Sequence, residues 1–123
     1  MKKIAAIDIG SNAVRMLICY VLINKNESFF QKNQYIRLPL RLGEDSFKTG
    51  YISDDKINTL SNALLSFKYT MKVHEVEHYQ IYATSALRDS KNSNDVIKQI
   101  YDITGMKIKL IDGLKEAKVI AMG

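Results

Sequence analysis

Hydrophobic and polar positions divide the chain into three strand-like runs, followed by alternating helical and strand-like segments. Residues 3–9 and 14–23 are rich in Ile, Val and Leu and mostly apolar on both faces, as central strands beneath helices are. Asn24-Lys25-Asn26 reads as the hairpin turn that follows them. Residues 28–37 mix aromatic and polar positions, predicting a third strand at a sheet edge. Pro39 ends it, because proline cannot donate to a ladder. Residues 41–52 are polar and contain glycine, predicting a loop. Ser53 then caps a helix whose first turn carries Asp54 and Asp55, which suit its positive end. Ile57, Leu60, Leu64, Leu65 and Phe67 recur at helical spacing to about Met71.

Residues 76–83 alternate like a strand, 84–88 start a short helix, 92–103 give another, and Gly105 breaks the chain. Residues 106–111 predict a strand with alternating lysines, and Asp112-Gly113 turns into a last helix over about 114–122. A three-strand antiparallel meander followed by crossover units predicts an α/β fold, a mixed sheet with helices on both faces. There is no internal repeat and no low-complexity segment.

The length of 123 residues suits one domain with a real core, and 46% hydrophobic with 25% charged residues excludes a disordered chain. A net charge of +5 favours an anionic partner: polyphosphate, nucleotide or nucleic acid. Cys19 is the only cysteine, so no internal disulfide forms, and its apolar strand predicts a buried thiol rather than a nucleophile. No apolar run approaches the roughly 20 residues that cross a bilayer, so no membrane partner is expected. Lys2-Lys3 before Ile4-Ala5-Ala6-Ile7 is like the start of a signal peptide. Asp8 interrupts it and no cleavage site follows, making cytoplasm the expected compartment.

Candidate chemistry concentrates in residues 5–18. An apolar strand delivers Asp8 to its end, Gly10-Ser11-Asn12 turn the backbone, and a second apolar strand leaves. Such a turn exposes backbone N–H groups and side-chain donors to a phosphate oxygen. Asp8 repels phosphate directly and is better suited to hold a hydrated divalent cation such as Mg2+ that bridges to it. A structural hairpin would carry the same Gly-Ser-Asn turn. His74-Glu75-Val76-Glu77-His78 matches H-E-x-x-H, the zinc-protease pattern, but that chemistry needs a helix here and a third ligand, and the preceding helix has run out.

Four ordered stretches carry a resemblance: Ile7-Asp8-Ile9-Gly10-Ser11-Asn12 with Arg15, Arg41-Leu42-Gly43-Glu44, Ala83-Thr84-Ser85-Ala86-Leu87-Arg88-Asp89 with Asn92, and Gly113-Leu114-Lys115-Glu116-Ala117-Lys118. In order and spacing the chain resembles the exopolyphosphatase / guanosine pentaphosphate phosphohydrolase family, of the actin-like ATPase-domain superfamily, over essentially its whole length. The resemblance implies a single ribonuclease H-like lobe over residues 1–123. It also implies release of terminal phosphate from polyphosphate or guanosine pentaphosphate with a divalent cation. Asp8 and Gly10-Ser11-Asn12 look like the first phosphate loop, Arg15 and Arg88 like arginines facing the phosphate chain, and Glu116 like the water-activating glutamate.

Each role has a physical basis and a competitor. Phosphoryl transfer needs neutralised oxygens and an in-line water. Arginine suits phosphate through its planar fork, yet Arg15 is equally placed for an internal ion pair and Arg88 for pairing with an acid on a solvated face. Glu116 can accept a proton from water, or simply complement a helix N-terminus. Thr84 and Ser85 read as helix caps or as ligands. Lys115 stands where the family often has an acid, Lys118 where it usually has arginine, and Ala13 where a hydroxyl is frequent. The lysines would stabilise the charged form of Glu116 and weaken it as a base.

The family also has a second glycine-rich phosphate loop in a second lobe, whereas this sequence stops at Ala121-Met122-Gly123. The expectation is therefore a truncated chain or detached lobe whose partner is the missing lobe, with a halved site and little turnover of its own. Competing readings are a non-catalytic polyanion-binding module and the nucleotide-binding lobe of an actin-like kinase or chaperone. Nucleic acid is disfavoured, since basic and aromatic residues do not cluster. A homodimer is left open.

Overall fold

The computed structural model describes residues 2–24 and 27–111. Five strands form one sheet: β1 (Lys2–Ile9), β2 (Val14–Asn24), β3 (Glu27–Leu38), β4 (His78–Ala83) and β5 (Lys109–Leu110). Their order is β3-β2-β1-β4-β5, antiparallel from β3 to β1 and parallel from β1 through β4 to β5. This is the meander followed by crossovers that the hydrophobic pattern predicts. The connections hold α1 (Gly43–Thr49), α2 (Asp54–Val73), α3 (Ser85–Arg88) and α4 (Ser93–Thr104).

Alternation sorts the strands into two faces. Ala5, Ile7 and Ile9 of β1, Val14, Met16 and Ile18 of β2, and Ile81 and Ala83 of β4 point into one buried core. Ile57, Leu60, Leu64, Phe67 and Met71 of α2, with Val96 and Ile100 of α4, close over it. Each fully buried side chain of this size contributes about 1.5–3 kcal/mol, so the sheet is anchored through this face. Ser53 caps α2 as expected, its hydroxyl accepting from the Lys56 N–H at 3.3 Å.

The other face carries a cross-strand row of polar residues. Arg37, Arg15, Asp8, Tyr82 and Lys109 are successive register partners across the five strands. Residues 114–122, expected to form the last helix, lie outside the described residues, as does the end of the expected turn at residues 25–26. Cys19 is buried in β2, as a structural thiol is.

Three expectations need correction. Residues 41–52 contain α1 rather than an unbroken loop. The expected strand over 106–111 is reduced to Lys109–Leu110, because only there does it pair with β4. α2 runs on to Val73, with His74 as its C-cap, Glu75 at φ 59° and His78 opening β4. The two histidines thus fall in different elements and share no helical face, as the sequence reading expects.

Candidate functional site

The Gly10–Ala13 turn joins β1 to β2 at one end of the sheet. The Gly10 N–H donates to the Ala13 carbonyl at 2.9 Å, closing it. A Cβ at Gly10 would approach that carbonyl to 3.2 Å, which is why a residue without one stands there. Among the described residues, no acceptor takes the N–H groups of Ser11, Asn12 or Ala13. Their carbonyls are used instead to fix the turn. The Arg41 N–H donates to Asn12 O and the Gly43 N–H to Ser11 O, both at 2.9 Å. Leu42 between them is fully buried and Arg41 holds a left-handed φ of 54°. The Arg41-Leu42-Gly43 stretch therefore braces the turn from outside.

The second wall comes from the end of β4. The Thr84 N–H donates to Ile9 O at 3.2 Å, continuing the β1–β4 pairing beyond the strand. Thr84 stands at the N-cap position of α3, but its side chain makes no cap bond there and its hydroxyl donates to Ile9 O at 3.5 Å. Ser85 Oγ lies 3.0 Å from Ser11 Oγ, linking the two walls. Between them opens a cleft of about 320 Å³ lined by Gly10, Ser11, Asn12, Ala13, Arg15, Arg37, Thr84 and Ser85. That is the small end of the range for ligand sites, roughly 300–1,000 Å³.

Charge is arranged around one ion pair. Arg15 donates from Nη2 to Asp8 Oδ2, across the β1–β2 register. The hydrogen bond to Asp8 raises the Arg15 pKa further above its ordinary value, with its charge and Tyr35 adding to the effect and partial burial opposing it. The ion-pair reading of Arg15 is thus present, and the same side chain lines the cleft. Asp8 is not itself among the lining residues and meets the cleft through its ion pair with Arg15.

Arg88 also lies outside that lining. Its guanidinium donates to both carboxylate oxygens of Asp89, at 3.0 and 3.3 Å, and to Ile111 O at 3.0 Å. The hydrogen bond from Arg88 lowers the Asp89 pKa below the ordinary carboxylate value. Glu116, Lys115 and Lys118 lie outside the described residues. Arg37 is the lining residue that reading the sequence passed over, because it falls at the end of an edge strand with nothing local to mark it.

The donor set can be tested for magnesium. Mg2+ keeps several waters and takes one or two carboxylates together with substrate phosphates. Asp8 offers one carboxylate with one oxygen already shared with Arg15, and Ser11 and Ser85 bring hydroxyl oxygens to the cleft. Among the described residues no group of three or more His, Cys, Asp or Glu side chains converges. The residues fit a hydrated ion shared with a bound phosphate, and do not fit a closed protein cage. No helix among the described residues is long and apolar enough to cross a membrane.

Comparison with known proteins bears on the fold and the family. Over 118 residues the chain is 36% identical to the bifunctional 3-dehydroquinate synthase/phosphatase of Fusobacterium nucleatum, covering 94% of this chain and 18% of that protein. It is 27% identical over 128 residues to exopolyphosphatase 2 of Mycobacterium tuberculosis, covering all of this chain and 40% of the relative. The crystal structure of the Aquifex aeolicus member of the Ppx/GppA family superposes with a TM-score of 0.85 at 25% identity, over 94% of this chain and 36% of that one. The chain thus spans less than half the length of each of these relatives. The family model for Ppx/GppA phosphatases matches residues 22–123, most of the sequence. With its five-stranded mixed sheet and braced turn, this chain belongs to the Ppx/GppA phosphatase family.

Proposed function

We propose that this chain supplies the phosphate-gripping lobe of a phosphohydrolase that releases terminal phosphate from inorganic polyphosphate or guanosine pentaphosphate. One observation carries the reading: three consecutive N–H groups, of Ser11, Asn12 and Ala13, lack described acceptors at the rim of a polar cleft. Backbone donors fixed in this way stabilise anionic oxygens without reorganising during reaction. Ser11 and Ser85 hydroxyls add donors, and the arginine wall supplies positive charge.

Asp8 is proposed as the one carboxylate that holds a hydrated Mg2+ shared with substrate. When bound, the ion would neutralise phosphate oxygens. Glu116 is proposed as the base that accepts a proton from the attacking water, from a position outside the described residues. No described lining residue is a carboxylate, so the cleft supports binding more than turnover, and we propose that the 123-residue chain hydrolyses slowly or not at all. The same observation keeps a non-catalytic polyanion-binding module as the second reading.

Calorimetry with inorganic tripolyphosphate, paired with phosphate release from long-chain polyphosphate and guanosine pentaphosphate in magnesium, tests both halves. The expected result is metal-enhanced binding with release close to background, and any residual release abolished in Glu116→Gln. Metal-independent binding that falls steeply with salt favours the module instead. Robust release that survives Glu116→Gln contradicts the proposed base.

A further inference from the structure

Arg15, the arginine that the phosphate motif points to, is charge-balanced by Asp8. Arg37 is different. It lines the same cleft, is exposed, and has no hydrogen-bond or ion-pair partner among the described residues. Counting Asp8, Arg15 and Arg37 together, the net positive charge that remains on this wall is Arg37's.

Its position depends on an irregularity in the sheet. From Asn24↔Glu27 to Cys19↔Lys32 the β2–β3 ladder runs in one register. Continued unbroken, that register would put Ile36 opposite Arg15 and turn Arg37 to the core face. The register shifts by one residue between Ile18 and Cys19, so Arg37 becomes the partner of Arg15 and Ile36 the partner of Met16. A one-residue slip exchanges the faces of every later side chain, and bulges serve to re-aim side chains beside functional sites. The result makes two arginines direct partners across the β2–β3 ladder. Like charges so placed destabilise a sheet unless an anion bridges them.

We propose that Arg37 is the residue that grips the phosphate chain directly in this cleft, with the Asp8–Arg15 pair as the fixed wall beside it. This deepens, and rests on, the phosphate-binding reading. A planar fork aimed into a cleft already lined by backbone N–H groups suits phosphoryl oxygens, with two parallel hydrogen bonds available to them. The bulge delivers the fork, and the bound anion relieves the repulsion with Arg15.

The test is calorimetric titration of the 123-residue chain with inorganic tripolyphosphate at low salt in EDTA, for wild type, Arg37→Gln and Arg37→Lys, alongside ligand-free melting. Loss of a charge-assisted contact predicts about ten- to a hundredfold weaker binding in Arg37→Gln. Arg37→Lys keeps the charge without the fork and should fall between. Ligand-free Arg37→Gln should melt at or above the wild-type temperature, because its repulsion with Arg15 is gone. Binding by Arg37→Gln within twofold of wild type overturns the proposal and leaves the cleft reading standing. A lower ligand-free melting temperature in both variants also overturns it, assigning Arg37 a structural role. Absence of binding by the wild type overturns the phosphate reading and this proposal with it.

Discussion

Replacing Asp8 by Asn tests the charge arrangement at its centre, because stability and anion binding should move in opposite directions. The substitution removes the acceptor of the Arg15 ion pair, whose side chains are 20% (Asp8) and 40% (Arg15) exposed. Exposed ion pairs are worth about 0.2–1 kcal/mol. Arg15 would also repel Arg37 more strongly once Asp8 no longer offsets part of its charge, an added cost of up to about 0.2–1 kcal/mol. Together the loss is about 1 kcal/mol. In a domain of this size that lowers the melting temperature by about 3–8 °C. Binding of tripolyphosphate without metal should instead tighten by about 1 kcal/mol, roughly fivefold, since one negative charge has left the wall. Scanning calorimetry and titration in EDTA read the two effects. An unchanged melting temperature, or weaker metal-free binding, would refute the ion-pair account. Repeating the titration in magnesium separates a second claim: any metal-dependent gain of the wild type should vanish in Asp8→Asn, and a gain of undiminished size removes Asp8 as the cation's anchor.

Two further substitutions probe the frame around the cleft. Gly10→Ala drives a Cβ to 3.2 Å from Ala13 O, so it should cost about 1 kcal/mol and weaken tripolyphosphate binding, as thermal melts and calorimetry would read. Wild-type affinity in that variant would show the turn to be no part of the site. Asn92→Ala removes two 3.0 Å hydrogen bonds, from the Ile52 N–H to the Asn92 side chain and from that side chain to Ile52 O. Urea unfolding should show a loss of about 2–3 kcal/mol, and a loss under about 0.5 would contradict the role of this clamp between α4 and the segment before α2.

The sheet was largely legible in the sequence because its information is local. Apolar runs mark β1 and β2 and Gly10-Ser11-Asn12 marks the turn by its composition, but residues 3–9 read as apolar on both faces while only Ala5, Ile7 and Ile9 of β1 are buried. α1 was not legible because its sequence carries no apolar stripe. Ser46 is its buried residue while Phe47 points outward at 65% exposure, and its start and end are set by Gly43 docking on Ser11 and by Gly50 at φ 83°. Residues 106–111 alternate well enough for a strand, yet strand pairing depends on how far β4 extends alongside them, which local alternation does not encode. In the site, Gly10, Ser11, Asn12 and Arg15 were readable from one contiguous motif and the structure brings them to one cleft. Arg37 was hidden, since its face is decided by a register shift in the β2–β3 ladder, where Asn33 of β3 has no partner between Gln34↔Ile18 and Lys32↔Cys19. Ser85 was ambiguous because a cap and a cleft residue look alike in sequence, and only the fold shows its hydroxyl 3.0 Å from Ser11 Oγ in the cleft.

The most direct measurement is a 15N-resolved NMR titration of the chain with inorganic tripolyphosphate. The largest amide changes should fall on Ser11, Asn12 and Ala13, with the Arg37 side-chain N–H moving alongside them. Largest changes at the lysine-bearing groove of Lys98, Tyr101 and Lys107, with the turn amides unmoved, would contradict the account.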